Sequence, residues 1–350
     1  MSVPPPGRPR IGISSCLLGR RVRFDGGHKR NDFLSAVLTH YIEYVPVCPE
    51  VEIGLGTPRP PIRLQRSREA ETRLIVIESG EDLSDRMRDY AMARIDELIA
   101  GGLHGFILKS RSPSCGLAAS VSGSGAQGAR PGGSLPTQDP VAIELDAPQD
   151  EPGAFTRELL ARLPDLPVAE EDGLDEPGAR ESFVAAAFTC LRWAEAEAEG
   201  WTPGSLARFH ARHRTLLRSR DLEACEGLDT LVGTPKSPSD RADPAYYLSE
   251  VIALLRHPPA REGHARALEG LVARLSGSLR DGDSERRIRE RIDDLSRGRV
   301  PAVVPLLVLR DEIRDGLEPR ARDDVYLDPH DDELALLSLL QAEPVDTEGG

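Results

Sequence analysis

Five cysteines are scattered through 350 residues, an odd number at wide spacing, which argues against a disulfide framework and leaves thiols or metal ligands. Two of them, Cys190 and Cys225, lie in helical text with no ligand types beside them and read as small buried hydrophobes. Cys16, Cys48 and Cys115 differ. Each follows an apolar run and lies beside turn formers: Gly19, Pro49, and Pro113 with Gly116. Spacing alone does not name a metal, because no CxxC pair is present and zinc sites usually carry one. Three thiolates without an obvious fourth ligand suit either a catalytic zinc or a cubane cluster with one iron left open. Further polar candidates stand nearby. His28 and Lys29 follow the Gly26-Gly27 turn, whose backbone N–H groups suit a phosphate or the polar edge of a ring; a plain tight turn capped by Asp25 is the alternative. Arg59 and Arg63 flank a proline-rich loop where a substrate phosphate would enter, although exposed arginines without a special role are equally common.

The elements that must position these residues follow from periodicity. Residues 10–13 form a short apolar strand that runs into Cys16, and residues 44–47 another that ends at Cys48, where Pro49 bars continuation as an inner strand. Residues 31–41 carry Phe33, Leu34, Val37, Leu38 and Tyr41 at helical spacing behind Asn31 as the cap. Residues 73–78 read as a buried strand, residues 82–100 as an amphipathic helix stopped by Gly101-Gly102, and residues 105–109 as a strand that delivers Ser110 to Gly116. Strands alternating with helices predict a parallel sheet, and sites in such sheets form outside the carboxyl ends of the strands. The three cysteines should therefore meet at one edge. Residues 123–133 are Gly/Ser/Ala-rich and read as a mobile loop; a strand at 141–145 and a helix at 154–163 complete the first domain.

Beyond an acidic stretch at 170–176 the text is helical, over 179–199, 203–218, 244–256, 261–279, 283–297 and 301–317. The expected fold is α/β: a three-layer parallel-sheet domain over residues 10–172, a linker at 173–180, and a mostly α-helical domain over 181–340. Apolar content of 39% with 29% charge is that of a globular chain, and no apolar run is long enough to span a bilayer, so no membrane partner is expected. Residues 1–9 lack the apolar core of a secretory signal, which makes the cytoplasm the expected location. The net charge of -14 argues against a global attraction to nucleic acid. Its distribution is uneven: residues 1–120 hold 17 basic against 14 acidic side chains, and residues 181–350 hold 23 against 32. Oligomeric state is not readable.

The blocks from Gly12 to Gly19, from Val22 to Lys29, from Cys48 through Cys48-Pro49-Glu50 to Pro61, and from Lys109 through Ser112-Pro113-Ser114 to Cys115-Gly116 together resemble the thiouracil desulfidase family. The resemblance covers about residues 10–172 and implies an α/β fold with a 4Fe-4S cluster on Cys16, Cys48 and Cys115, whose fourth iron binds the sulfur being removed. An open iron is a Lewis acid matched to a thiocarbonyl sulfur, so the implied reaction is hydrolytic, exchanging the sulfur for the oxygen of water without net electron transfer. Glu50 matches the family's acid/base glutamate, a role suited to a carboxyl beside a cluster and away from bulk water. Ser112 matches the family's functional serine, with Ser114 as the competing choice for contact with substrate.

The second half is similar to the YbgA-like helical domain that is often fused behind this one. Phe183, Arg192-Trp193, Phe209-His210-Ala211-Arg212-His213-Arg214 and Tyr326-Leu327-Asp328-Pro329-His330 carry that resemblance, while Asp324 and Asp331 depart from it. The fusion implies tRNA 4-thiouridine as substrate, with the helical domain as an RNA-binding module. Arg208, Arg212, His213 and Arg214 would form its basic face and Trp201 would stack a base; a solvated helix face paired with local acids is the competing reading. Two other functions remain in play: desulfidation of free thiouracil or a thiolated nucleotide, and an iron-sulfur sensor without turnover, which would need the cysteines but not Glu50.

Overall fold

The computed structural model describes residues 7–66, 71–122, 150–233, 243–313 and 319–341. The loop expected at 123–133 and the strand expected at 141–145 lie outside them. The chain divides into two compact units, Arg10–Gly173 and Leu174–Gly350 with Met1–Pro9.

The first unit is α/β. Its main sheet has the order β2-β1-β5-β8, from β1 (Arg10–Ser14), β2 (Glu43–Val47), β5 (Gly105–Leu108) and β8 (Val168–Glu170), and all three pairings are parallel. Strand β2 is at the edge, where Pro46 costs no ladder bond on the open side. Order reverses at β1, which has β2 on one side and β5 on the other, and that is where an open parallel sheet leaves a crevice. Gly12 is required at the sheet's centre: a Cβ there would lie 2.3 Å from the Phe106 ring on the neighbouring strand.

A second sheet was not expected. It has the order β4-β3-β6-β7, with β3 (Ile62–Arg66) antiparallel to β4 (Thr72–Val76), parallel to β6 (Ala119–Ser122), and β6 antiparallel to β7 (Asp150–Glu151). The run at 73–78 is therefore an edge strand of this mixed sheet, with Leu74 and Val76 inward and Ile77 exposed, rather than a buried strand of the parallel one. Helices α1 (Pro49–Glu52), α2 (Ser84–Ala100) and α3 (Ala154–Arg162) complete the unit, and one core joins Val47, Phe106 and Leu108 to Leu64, Leu74, Met87, Ile95 and Phe155. The segment behind Asn31 is helical but irregular, a π turn over Phe33–Val37 followed by a 3-10 turn, with Asn31 Oδ1 accepting from the Leu34 N–H.

The second unit is helical: α4 (Pro177–Glu199), α5 (Pro203–Arg220), α6 (Leu222–Leu231), α7 (Pro244–Leu255), α8 (Arg261–Leu275), α9 (Ser284–Ser296), α10 (Val303–Asp311), α11 (Pro319–Arg322) and α12 (Asp331–Gln341). Residues 173–180, expected as a linker, hold a 3-10 turn at Gly173–Asp175 and the first residues of α4. Helices α6 and α12 escaped the periodicity reading. No helix among the described residues is long and apolar enough to cross a membrane.

Candidate functional site

All four strands of the parallel sheet deliver chemistry to one end. Ser14 and Cys16 follow β1, Cys48 and Glu50 follow β2, Lys109 to Cys115 follow β5, and Glu171 follows β8; all line one cavity of about 600 Å³. The three cysteines converge here as the strand pattern predicts.

Each cysteine is seated by its own local device. Cys16 lies in a 3-10 turn closed by Gly19 at φ +84°, and its carbonyl accepts from the N–H groups of Gly19 and Lys29. Cys48 precedes α1; its N–H donates to Glu52 Oε1 at 2.8 Å, and Tyr90 donates to the other Glu52 oxygen at 2.7 Å. Cys115 is buried in a loop seated on the start of α3. The N–H groups of Ala154 and Phe155 donate to the carbonyls of Pro113 and Ser114, and Thr156 Oγ1 donates to the Cys115 carbonyl. A Cβ on Gly153 would lie 2.6 Å from the Ser114 backbone, so glycine is required where helix and loop meet.

Two carboxylates fasten the same loop at its ends. Leu117 N–H donates to Glu170 Oε1 at 2.7 Å, while Glu171 accepts from the Ser110 N–H, the Ser110 hydroxyl and the Lys109 ammonium. Burial pushes the Cys16 thiol up to about 11, with Arg23 and Lys109 pulling the other way. Cys48 and Cys115 are also raised, chiefly by burial.

Glu50 is almost buried and paired with Arg59, whose side chain is 3% exposed. Glu50 Oε2 accepts from two Arg59 nitrogens; Oε1 accepts from the Ser114 hydroxyl at 2.6 Å. Ser112 reaches this carboxylate only through Ser114, their oxygens 3.1 Å apart, and also accepts from the Cys115 N–H at 3.2 Å. The hydroxyl in contact with Glu50 is therefore Ser114, and Ser112 supports it.

Arg59 does not stand at an entrance. Its remaining donors go to the carbonyls of Val22 and Gly56 and to Thr57, so its charge is committed to holding Glu50 and the surrounding loops, not a substrate phosphate. Arg63 lies on β3, bonded to Gln65. Lys29 is exposed and lines the cavity, whereas His28 is exposed outside it, its Nδ1 accepting from the Arg30 N–H. Two residues missed at sequence level share the cavity rim with Lys29: Arg23 and Arg111. Arg111 has φ +56°, the left-handed region in which no other described non-glycine residue lies, a strain of the kind that collects at functional sites.

Of the four residues expected to read RNA, Arg208 and Arg212 are exposed, Arg214 is half-buried and His213 is buried. Arg208 and Arg212 line a groove of about 910 Å³ with Arg274, Glu199, Asp323 and Asp324. His213 is fully buried, stacked on Phe209 with ring centroids 4.0 Å apart and bonded to the Phe209 carbonyl. Arg214 is paired through two nitrogens to Asp229. Trp201 packs on Trp193 at 4.1 Å, within the core. His213 is withdrawn from any RNA face by burial and Trp201 is half-buried against Trp193, while the Arg214 side chain stays 42% exposed with its charge paired to Asp229. Asp324, a departure from the helical family's pattern, is 3% exposed and accepts from Thr215, Arg274 and the N–H groups of Tyr326 and Leu327, organising the turn before α12; Asp331 is the first residue of that helix, where a negative charge is favoured.

Residues 11–171 match the model of the 2-thiouracil desulfurase family. An uncharacterised protein of Bacillus subtilis, YbbK, is 33% identical over 113 residues, covering 30% of this chain and 72% of that protein. Among solved structures, a [4Fe-4S]-dependent thiouracil desulfidase, TudS, is similar at 29% identity, covering 48% of this chain and 94% of that chain with a TM-score of 0.34. The family match spans the unit that holds the cysteine cavity and ends at Glu171, the last residue of its wall, and the chain belongs to the 2-thiouracil desulfurase family.

Proposed function

We propose that the α/β unit removes sulfur from a thiolated pyrimidine at a 4Fe-4S cluster held by Cys16, Cys48 and Cys115. The observation that carries this reading is the meeting of three thiols from three adjacent strand ends in one cavity with Glu50 and Ser114. The donor set fits a cluster better than a single ion. Thiolates on one zinc lie about 3.8 Å apart, from bonds of about 2.3 Å in a tetrahedron. Among the described residues the trio of candidate ligand atoms within 4.8 Å of one another is His210, Cys225 and Asp229, and those atoms already bond to one another or to Arg214. The three cavity cysteines do not form such a trio, and three thiolates without a fourth protein ligand suit a cluster with one iron left open.

When bound, such a cluster supplies an open iron as a Lewis acid for the thiocarbonyl sulfur. The chain's own groups handle the proton and the water. Glu50, fixed by Arg59, takes a proton from the attacking water through Oε1 or through Ser114 and returns one to the departing sulfur. The balance is thiocarbonyl plus water giving carbonyl plus hydrogen sulfide, with no change in electron count. A sensor without turnover has no use for the Glu50–Ser114 pair.

The finer reading is 4-thiouridine in tRNA, with Arg208 and Arg212 of the helical unit meeting RNA phosphates and Lys29, Arg23 and Arg111 meeting the phosphate next to the thiolated base. Desulfidation of a free thiouracil or thiolated nucleotide is the second reading, favoured by the burial of His213 and the pairing of the Arg214 charge with Asp229. Incubation of anaerobically purified protein with thiolated tRNA and, separately, with 4-thiouracil tests both. Loss of near-ultraviolet thiouridine absorbance with release of sulfide supports the first reading. Turnover of the free base alone selects the second, and turnover of neither rejects the desulfidase.

A further inference from the structure

We infer that Phe24 is the wall on which the pyrimidine ring stacks, an assignment that rests on the desulfidase reading. Of the large apolar side chains left exposed among the described residues, Phe24, at 40%, is the one that lines the cysteine cavity. A phenyl ring held in water beside a reactive cavity gains by accepting a flat partner.

The backbone that carries the ring is also anchored. It sits in a turn closed by the Gly26 N–H to the Arg23 carbonyl at 2.9 Å and by the Gly27 N–H to Asp25 Oδ1 at 2.9 Å, with Gly26 at φ +77°. The Phe24 carbonyl accepts from the Arg59 N–H at 2.9 Å, so the residue that fixes Glu50 also fixes the aromatic wall. The Arg23 guanidinium lies 5.5 Å from the ring centroid and restrains the ring. An anchored backbone lowers the ordering that a ligand must impose on this wall.

A phenyl group offers no hydrogen bond. It sets the plane of the substrate and favours planar heteroaromatic thiocarbonyls over acyclic ones, leaving the identity of ring substituents to other residues.

The test uses the full chain, iron-loaded under anaerobic conditions, as wild type and as Phe24→Ala, Phe24→Leu and Phe24→Trp. Two readouts are taken: KM and kcat with 4-thiouracil, and the dissociation constant of uracil, which binds without reacting. Stacking predicts that Phe24→Ala and Phe24→Leu raise both KM and the uracil dissociation constant about tenfold at unchanged iron content, while Phe24→Trp stays near wild type. Phe24→Ala or Phe24→Leu behaving like wild type in both readouts overturns the assignment and leaves the desulfidase standing. Wild type that turns over no thiolated pyrimidine overturns the proposed function instead, and with it this assignment.

Discussion

The Arg59–Glu50 pair leaves one carboxylate oxygen for Ser114 and a cavity, whereas the Arg214–Asp229 pair leaves its shared oxygen for a buried imidazole. Both are arginine–carboxylate pairs reinforced by a third polar side chain. In the α/β unit, the pairs Arg59–Glu50 and Lys109–Glu171 stand behind cysteine loops and face open space. In the helical unit Arg214–Asp229–His210, Arg192–Glu333 and Arg274–Asp324–Thr215 join helices or turns to one another, and each acceptor is committed to those partners. Density of arginine in a sequence therefore reports little about binding until the carboxylates packed against it are known.

The contrast breaks most sharply at the cysteines. Cys16→Ala, Cys48→Ala or Cys115→Ala should each abolish retention of about four irons per chain, while Cys225→Ala, whose thiol is raised to about 11 by burial, should leave the irons in place. Iron and sulfide analysis reads this directly, and zinc in place of iron would reject the cluster. Next in size is Glu50→Gln, which removes the carboxylate charge but keeps the shape, and should lower kcat by roughly 10²- to 10⁴-fold. Ser114→Ala should cost more than Ser112→Ala because it contacts Glu50 directly; the reverse order in kcat would restore Ser112 to the leading role. Asp229→Asn should leave kcat untouched and lower the stability of the helical unit by about 1–3 kcal/mol, read by denaturant unfolding.

His213 sharpens the comparison through pH. Burial holds its imidazole well below the ordinary value, so it is neutral when folded, while the unfolded chain takes up a proton near 6.5. The unfolded state then binds more protons below about pH 6.5, and stability falls with falling pH by about 1.4 kcal/mol per unit for each such histidine. His213→Phe, which keeps the stack on Phe209, should flatten the stability curve below pH 6.5 by about one proton. An unchanged slope would show that the ring already titrates as if exposed. The smallest effect is expected for Arg208→Ala with Arg212→Ala: several-fold weaker tRNA binding, a shallower salt dependence by about two phosphate contacts, and no change with free thiouracil.

The cysteine convergence was legible because a strand followed by a cysteine, three times over in alternating text, has one outcome in a parallel sheet. The fold class was legible for the same reason. Strand β3 was not, because Pro60 and Pro61 precede it and Arg66 ends its apolar alternation after Ile62 and Leu64, while Leu64 pairs across to Leu74. Helix α6 hid behind Gly227, and α12 behind a three-residue acidic start. The fate of His213 and Arg214 was unreadable: which helix face meets solvent depends on where α6 and α7 pack, and the partner Asp229 is fifteen residues away. The same limit applies to Arg59, which looks like an entrance arginine until Glu50 folds back on it.

Glu170 and Glu171 have a practical consequence for anyone dividing the gene. They fasten both ends of the Cys115 loop yet lie within four residues of Leu174, where the helical unit begins. A fragment truncated before residue 170 would retain Cys16, Cys48 and Cys115, and the whole Glu50–Ser114 pair, with that loop untied from both carboxylates. Expression boundaries for the catalytic half therefore belong after residue 171, and a fragment ended too early would resemble a dead enzyme for reasons unrelated to its chemistry.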